Sequence, residues 1–479
     1  MKTSWVKSTL ALSIATLLNA PANAQNTNIQ SEADVEKITV HGMHRAYQGA
    51  FKYKEVPAAA QDIDLGLIND AGAINLNDAL DLSASVARQN NFGGLWNSFA
   101  IRGFSGDENN ATGYLINGFN VRGYSGNRGT VNIQSVEVMK GPGSALYGQG
   151  EPGGTINIVT KKPQFDEQGY VQGTLGNYSK KEVEFDYTNG LNEDMAYRLN
   201  GSYEDSDTYR DTVFFKNLNI NPSFIWNLSD VTSLSYQMEI LDQEKPLDRG
   251  VYVLDNDFDA VNPEDFYGDI RDGAHEVKTF GHQLVLNHEL THSWHLLTGM
   301  AYRDSSMKGQ SSDTELSAGR QLLLTDPDIL SRQRRTRDYE AQDLSLRAEL
   351  SGEAEVAGLT NNLLIGLDYY NYHIDTDYRR WRTAWGAGDT TYSIDPANPD
   401  YTIARPDVSP VTLTAEKQQG LGFYAQDLIE LNEATKLLLG FRVDKFEQEI
   451  YDHLAGAGQS RDQTVVTPRL GLTYAVNEK

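Results

Sequence analysis

The chain has 479 residues, no cysteine and a formal net charge of −25, from 66 acidic and 41 basic side chains. The absence of cysteine excludes disulfide scaffolds, thiol catalysis and cysteine-ligated metal centres. The acidic charge argues against a nucleic-acid partner, because such proteins need a basic surface. A mean hydropathy of −0.50 excludes a helical membrane bundle. The 42 glycines and 25 tyrosines favour an ordered β-rich protein.

The first 24 residues have the three-part organisation of a secretory signal peptide. Lys2 and Lys7 precede the apolar run Leu10–Leu18, and Ala22–Ala24 has the small-residue pattern of a cleavage site. The apolar run is too short to span a bilayer of ~30 Å as a helix. A buried amphipathic helix is the alternative, but it leaves the cleavage pattern unexplained. We therefore predict a signal peptide over residues 1–24 and an exported bacterial protein.

Residues 25–50 form a polar arm, and residues 51–163 have the sequence texture of a compact α+β domain. Apolar residues four apart predict a helix over Leu76–Leu80. The short strands predicted in this domain are Leu95–Phe104, Tyr114–Phe119, Ile133–Lys140 and Thr155–Lys161. Glycines are concentrated around residues 141–154, which indicates tight turns.

From residue 168 to residue 479 the pattern is repeated period-two alternation, typical of strands with one apolar face. We predict about twelve strands here. Short polar turns such as Asn227–Asp230 and Leu431–Ala434 contrast with the long acidic connections Leu241–Val277 and Asp375–Glu416. Short turns on one rim and long loops on the other predict an outer-membrane β-barrel. A soluble β-sandwich is the alternative.

The glycine-rich strands of the first domain resemble the plug of TonB-dependent outer-membrane receptors. The segments that carry the resemblance are Phe99–Phe104, Tyr114–Phe119, Ile133–Pro142, Ser144–Gly148 and Pro152–Pro163, with Tyr424–Asp427, Leu439–Asp444 and Thr467–Tyr474 in the barrel. The ferric-siderophore branch, and within it the hydroxamate or coprogen type, is the most similar. This resemblance implies a transmembrane barrel of 22 antiparallel strands with an N-terminal α+β plug inside its lumen. Because only about twelve strands are predicted, we expect the barrel to be incomplete at its C-terminus.

The resemblance also implies a function and its partners. It implies active import of a ferric siderophore across the bacterial outer membrane by a protein that is not an enzyme and carries no cofactor. The implied partners are the ferric siderophore, TonB energised by ExbB and ExbD, and outer-membrane lipid. The alternatives are a receptor for another scarce solute, such as cobalamin or an oligosaccharide, and a passive porin.

A β-branched patch in the polar arm resembles the TonB box of this family. It consists of Glu36, Lys37, Ile38, Thr39 and Val40. An isolated patch of this kind in an extended arm is suited to adding as a strand to the edge of a partner's sheet. We predict that this segment binds TonB.

Candidate ligand-binding residues are aromatic and basic side chains predicted to lie in loops, because siderophore complexes are bulky and expose apolar surface. They are Phe92, Trp96, Arg122 and Tyr124 in the plug, and Tyr378, Trp381 and Trp385 in a long barrel loop. Arg102 and Glu137 stand in short apolar strands. The resemblance implies that they tie the plug to the barrel.

Three further motifs are predicted not to carry chemistry. His288–His292 matches the zinc-protease pattern, which requires a helix, but its flanks alternate as in a strand. Gly148–Gly153 matches a dinucleotide-binding pattern but precedes a strand rather than a helix. The acidic run at Asp255–Asp259 lacks the glycine and the bidentate glutamate of a calcium loop. We therefore predict no metal site and no catalytic residue, with a secreted zinc protease as the alternative.

Overall fold

The computed structural model describes residues 57–476 except 58, 90–91, 106–113, 142, 149, 151, 254–256, 258, 260, 325, 327, 387 and 389. All described residues belong to one compact unit, Met43–Lys479. The predicted signal peptide, the arm and the TonB box at Glu36–Val40 lie outside the described residues. In the described part of the chain, no helix is both long and apolar enough to cross a bilayer.

The first domain, here called the plug, contains short strands and three short helices. They are β1 (Ala59–Asp64), α1 (Leu65–Asp70), α2 (Leu76–Leu80), β2 (Val86–Arg88), β3 (Phe99–Ile101), β4 (Phe104–Ser105), β5 (Tyr114–Ile116), β6 (Phe119–Asn120), β7 (Ile133–Lys140), α3 (Ser144–Tyr147) and β8 (Gly154–Thr160). A five-stranded sheet has the order β1-β7-β8-β5-β6, and β2-β3-β4 form a separate three-stranded sheet.

The predicted helix at Leu76–Leu80 and the predicted strand at Ile133–Lys140 are confirmed as α2 and β7. Asn75 caps α2, since its side-chain oxygen accepts a hydrogen bond from the backbone N–H of Asp78 at 3.1 Å. Apolar side chains of both elements enter one core. The core residues are Ile63, Ile68, Leu76, Ala79, Leu80, Ile101, Tyr114, Ile116, Val121, Ile133, Val136, Val138, Ile156 and Ile158.

Among the described residues, twelve antiparallel strands form the second domain, here called the wall, in agreement with the predicted number. They are β9 (Gln168–Leu175), β10 (Lys181–Gly190), β11 (Met195–Asp207), β12 (Phe214–Ser229), β13 (Thr232–Lys245), β14 (His275–Thr291), β15 (Trp294–Thr314), β16 (Leu330–Val356), β17 (Leu359–Trp381), β19 (Ser409–Asn432), β20 (Thr435–Asp452) and β21 (Ala457–Tyr474). The two-residue strand β18 (Ser393–Ile394) pairs with the start of β16. Among the described residues, β9 pairs only with β10 and β21 only with β20.

Connections alternate strictly in length around the wall, as the sequence predicts. Turns at 230–231, 292–293, 357–358 and 433–434 lie on one rim, and the connections 246–274, 315–329 and 382–408 lie on the other, here called the long-loop rim. The long connections are shorter than predicted, because β13, β14, β17 and β19 continue into segments assigned to loops. Charged residues are frequent in these outer segments, as at Asp242 and Glu244 in β13 and at Arg379 and Arg380 in β17. Hydrogen-bonded pairing persists through them.

The plug packs against the inner face of the wall. In β14, His275, Val277 and Thr279 are buried, whereas the even-numbered residues Lys278 and Phe280 are exposed. The odd-numbered residues of this strand therefore face the lumen. The hydroxyl of Thr279 donates to the carbonyl oxygen of Tyr124 in the plug at 2.8 Å. Two apolar clusters combine plug and wall residues. The buried interior is thus shared between the two domains.

Candidate ligand-binding site

The plug loop 92–97 contacts the wall at the long-loop rim. Gly93 and Gly94 have φ values of 67° and 81°, a region that favours glycine. A Cβ atom on Gly93 would lie 2.6 Å from the carbonyl oxygen of Asp248, and one on Gly94 would collide with the amine of Lys245. The side-chain amide of Gln243 donates to the carbonyl oxygen of Leu95 at 2.8 Å. The loop is therefore fitted closely against β13 and the connection that follows it.

Aromatic side chains from the plug and the wall form one cluster beneath this rim. Phe92 and Trp96 stack with ring centroids 4.7 Å apart, and Tyr124 stacks on Tyr339 of β16 at 5.7 Å. Tyr372 of β17, which is fully buried, belongs to the same cluster. Phe92, Trp96 and Tyr124 occupy loops as predicted, and the structure brings them together.

Arginine side chains cover the edges of this aromatic cluster. Arg122 lies 3.6 Å from the ring centroid of Tyr370, and its guanidinium is 3.3 Å from a carboxylate oxygen of Asp343 on β16. Arg337 and Arg249 lie 4.8 and 5.1 Å from the ring centroid of Phe92. Such cation–π contacts add attraction at sites shielded from water. Arg122, Phe92 and their wall partners thus form a preassembled basic and aromatic surface.

A cavity of about 530 Å³ lies beside the plug loop at the long-loop rim. This volume is in the range of ligand pockets. Its lining combines the two plug glycines with residues of β13, β15 and β16 and of the connections that follow β11, β13 and β15: Gly93, Gly94, Thr208, Tyr209, Val213, Lys245, Asp248, Arg249, Gly250, Val251, Tyr252, Asp313, Thr314, Leu316, Gln333 and Arg335. None of the predicted ligand-binding residues is in this lining, although Phe92 adjoins Gly93. The cavity itself was therefore not predicted from the sequence.

The three predicted residues near the end of β17 do not form one group. Tyr378 and Trp381 belong to β17 and not to a loop, so that expectation is wrong. Tyr378 pairs with Arg337 in register and lies 5.7 Å from it, next to the aromatic cluster. Trp381 is three residues further, on the opposite face of the strand, and packs edge-on against Tyr392. Trp385 lies in the connection, 67% exposed, with Arg320 at 5.2 Å.

The long connections are joined to each other by buried polar groups. Tyr392 donates its hydroxyl to Asp269 at 2.9 Å, and the hydroxyl of Ser312 donates to Asp272 at 2.5 Å. Burial alone would raise the pKa of Asp269, but hydrogen bonds from Arg271 and Tyr392 lower it to about 2. Burial raises the pKa of Asp272. Tyr392 is central to this network, because its hydroxyl bonds to Asp269 and Arg332 lies 4.4 Å from its ring centroid.

Arg102 and Glu137 were predicted to tie the plug to the barrel. Arg102 does not lie in a strand as expected, and Glu137 forms a hydrogen bond within the plug. Arg102 is exposed in the turn between β3 and β4, not in a strand, with a φ of 52°. Glu137 is 2% exposed and accepts a hydrogen bond from Asn157 of the adjacent plug strand at 2.8 Å. Their role in holding the plug remains a prediction.

Other buried ion pairs connect the plug to the wall. Arg128 of the plug pairs with Glu239 of β13, which also binds Arg303 of β15 at 2.9 Å. Lys161, just after β8, pairs with Asp186 of β10 at 2.9 Å. Each pair includes an ionisable residue at an inward-facing position of an alternating wall strand, and such a charge is costly to bury without a partner. This pattern could have identified the pairs from the sequence, but it was not used for the wall strands.

The first four residues of the zinc-protease pattern, His288–Thr291, form the end of β14 as predicted, and His292 lies in the turn that follows. The imidazole of His288 lies 2.8 Å from the hydroxyl of Thr232 on the neighbouring strand. Within the described ranges, no group of three or more histidine, aspartate or glutamate side chains is arranged to hold a metal ion. A strand that ends before His292 does not place the two histidines on one face of a helix, as the zinc-protease motif requires.

Comparisons with known proteins agree with this architecture. Residues 52–155 match the family model of the TonB-dependent receptor plug domain, and residues 219–479 match the TonB-dependent receptor-like β-barrel. The chain belongs to the TonB-dependent receptors. This family is one of the bacterial outer membrane, which is where the protein resides. The second match covers more than half of the chain, so the assignment does not depend on the plug alone.

Receptors of metal complexes are among the proteins similar in sequence. The metal-pseudopaline receptor CntO of Pseudomonas aeruginosa (strain UCBPP-PA14) is 32% identical over 475 residues, which is 95% of this chain and 64% of the relative. The ferrioxamine receptor of Yersinia enterocolitica is 25% identical over 436 residues, 85% of this chain and 57% of the relative. This chain thus spans about 60% of the length of these two relatives.

Solved structures of receptors share the fold. The siderophore receptor PiuA of Acinetobacter baumannii superposes with a TM-score of 0.79 at 20% identity, over 89% of this chain and 63% of that chain. The open form of the ferric-catecholate import receptor Fiu of Escherichia coli K-12 gives a TM-score of 0.77 at 18% identity, over 89% and 68%. At these identities the likeness establishes the fold, a plug enclosed by a β-barrel wall.

Proposed function

We propose that this TonB-dependent receptor imports a metal–siderophore complex across the outer membrane, with a ferric siderophore as the first candidate. One observation carries this proposal: the 530 Å³ cavity lies at the long-loop rim and is lined by the plug loop itself, at Gly93 and Gly94. A ligand in this cavity would contact the plug and the wall at the same time. Binding could then be transmitted to the plug without an intermediate element.

The structure suggests how the plug would respond. Leu95 in loop 92–97 accepts a hydrogen bond from Gln243 of the wall, and Arg128 of the plug forms an ion pair with Glu239 of the wall. A ligand that displaces the loop changes the contacts that hold the plug in place. We propose that TonB then binds Glu36–Val40 and supplies the pull that breaks the buried pairs, energised by ExbB and ExbD. Outer-membrane lipid surrounds the wall, and no enzymatic step is required.

A second candidate is a chelate of another metal. The relative with 32% identity over 475 residues is a metal-pseudopaline receptor, whereas the ferrioxamine receptor is 25% identical. Cobalamin or an oligosaccharide as the ligand, or passive diffusion through a porin, has no comparable support.

Growth under iron starvation tests the proposal. An iron-starved host lacking its own siderophore receptors would express the protein and receive single hydroxamate, catecholate or carboxylate siderophores. We expect growth with at least one of them, and loss of that growth when the host lacks TonB. Outer-membrane fractions would show that the protein is present and folded.

Each outcome separates the candidates. If a correctly assembled protein supports growth with none of the siderophore types, import of ferric siderophores is refuted. Growth that persists without TonB would instead indicate a passive pore. Uptake of the same chelators loaded with radioactive zinc or nickel in place of iron distinguishes the second candidate.

A further inference from the structure

We propose that the cavity beside Gly93 and Gly94 is a carboxylate-recognition subsite, in which Lys245 and Arg249 bind the carboxylate groups of a metal chelate. The inference rests on the proposed function and makes it more specific, because it selects carboxylate chelates over neutral ones. It concerns residues that were not among the ligand-binding candidates predicted from the sequence.

In the lining, Lys245 and Arg249 form no direct ion pair among the described residues, although the carboxylates of Asp248 and Glu204 act on Lys245 at longer range. The carboxylate of Asp248 is fully engaged, since Arg210 donates to one oxygen at 2.8 Å and the backbone N–H of Gly250 donates to the other at 2.8 Å. Asp313 lies 3.1 Å from Arg335. Among the described residues, neither Lys245 nor Arg249 has a carboxylate within 4.0 Å. An anionic ligand would supply the missing partners.

The positions of these two cations suit a ligand that touches the plug. Lys245 is the last residue of β13 on its inner face, and its amine lies directly against Gly94. Because glycine has no side chain, the amine can reach the surface of the plug loop at this point. Arg249 lies over the ring of Phe92 at 5.1 Å. Arginine binds carboxylates in a bidentate fork, whereas lysine acts as a point charge.

Gln333 provides an independent observation at the same cavity. Its side chain is 3% exposed, it belongs to the lining, and its amide oxygen has no hydrogen-bond partner among the described residues. A buried acceptor without a partner is costly. A ligand that presents an N–H or O–H group next to its carboxylates would satisfy it. The lining therefore fits a chelate that carries both carboxylates and a hydrogen-bond donor.

Binding of ferric citrate to the purified protein in detergent tests this inference. Citrate carries three carboxylates and a hydroxyl, and quenching of intrinsic tryptophan fluorescence gives the dissociation constant. Parallel titrations use ferrioxamine B, a hydroxamate complex, and a ferric tris-catecholate. The variants are Lys245→Met and Arg249→Gln. The matched control is Lys278→Met, which removes an exposed lysine from the outer face of β14.

We expect each cavity variant to weaken ferric citrate binding about tenfold, equivalent to about 1.4 kcal/mol. The control variant and the wild-type protein should bind equally, and circular dichroism should show the same strand content in all four proteins. Equal affinity of the wild-type and the cavity variants for ferric citrate would overturn the subsite.

The other two ligands separate the subsite from the proposed function. Binding of ferrioxamine B or the tris-catecholate without binding of ferric citrate refutes the carboxylate subsite and leaves siderophore import standing. If the folded protein binds none of the three complexes, both the subsite and import of ferric siderophores are refuted.

Discussion

Arg128 of the plug and Glu239 of the wall form an ion pair that is almost entirely shielded from water, with 4% and 11% of their side chains exposed. Arg303 binds the same carboxylate from β15. Removing one member of a buried ionic group leaves the remaining charge uncompensated and typically costs ~3–5 kcal/mol. This carboxylate therefore holds two cations from different domains, and its loss affects the contact between them.

The first prediction concerns this contact. Glu239→Gln should loosen the plug, because two buried guanidinium groups lose their counter-charge. We expect faster hydrogen exchange of the plug amides around Arg128, with the exchange of the wall strands little changed. Glu340→Gln is the control, since Glu340 is an exposed residue that pairs with Lys308. Identical exchange in the two variants would contradict the assignment.

The second prediction separates backbone strain from crowding at the plug loop. Gly93 and Gly72 have nearly equal φ values of 67° and 66°, but a Cβ atom on Gly72 meets no atom within 4 Å. Gly72→Ala should therefore show only the cost of the left-handed conformation, ~1–2 kcal/mol. Gly93→Ala should lose ~1–3 kcal/mol more because of overpacking against Asp248. Denaturant unfolding in detergent compares the two, and equal losses would count against a close approach.

The third prediction concerns pH. The pKa of Asp269 lies near 2, below its usual value of 3.8, so its charged form stabilises the folded state. That contribution is complete above about pH 4 and is lost as the pH falls toward 2. Asp269→Asn removes it. The difference in unfolding midpoint between wild type and variant should thus be larger at pH 6 than at pH 2.5. Burial, the largest cause of the raised pKa of Asp272, is present in both proteins, whereas the smaller contribution from the charge of Asp269 is lost in the variant. A pH-independent difference would refute the explanation.

The fourth prediction concerns α3 of the plug. Arg442 of β20 donates to the carbonyl oxygen of Leu146 at 3.0 Å and binds both carboxylate oxygens of Asp368 at 2.7 Å. Arg442→Lys keeps the charge but cannot make these contacts together. We expect faster hydrogen exchange at residues 144–148. Arg461→Lys on the exposed strand β21 is the control. Unchanged exchange in the Arg442 variant would mean that α3 is held by its other contacts.

The fifth prediction concerns the arm. Proline lacks the N–H that a pairing strand needs and fixes φ, so Ile38→Pro should abolish uptake if Glu36–Val40 pairs with TonB as a strand. Ligand binding by the purified variant should equal that of the wild-type protein. Thr27→Pro, in the same arm as Ile38, is the control. A proline in the predicted signal peptide, as in Val6→Pro, is unsuitable because export would fail. Normal uptake by the Ile38 variant would refute the assignment.

Features encoded by local sequence could be predicted. Helix α2 follows from its apolar spacing and the asparagine before it, and β7 follows from a run of β-branched residues between a turn and Gly141. The alternation of the wall strands and of the short and long connections was equally evident. All of these depend on residues only a few positions apart.

The cavity could not be predicted in this way. The inner face of β13 carries the polar residues Glu239 and Gln243 before Lys245, so the sequence does not distinguish Lys245 from its inward-facing neighbours. Its position at the plug depends on the pairing of Lys245 with His275 and on the fit of Gly94, which is 151 positions away in the chain. The end of β17 was misassigned for a related reason. Tyr378 and Trp381 follow acidic residues, but pairing with β16 continues through them.

The length of the central wall strands has a mechanical consequence. β15, β16, β17 and β19 contain 21, 27, 23 and 24 residues, whereas ~9–11 tilted residues cross a bilayer. From Arg334 to Gly352, β16 is paired on both sides. A sheet bonded over such a length has high bending stiffness well beyond the membrane surface. The mouth of the receptor is consequently supported by paired strands and not by the long connections alone.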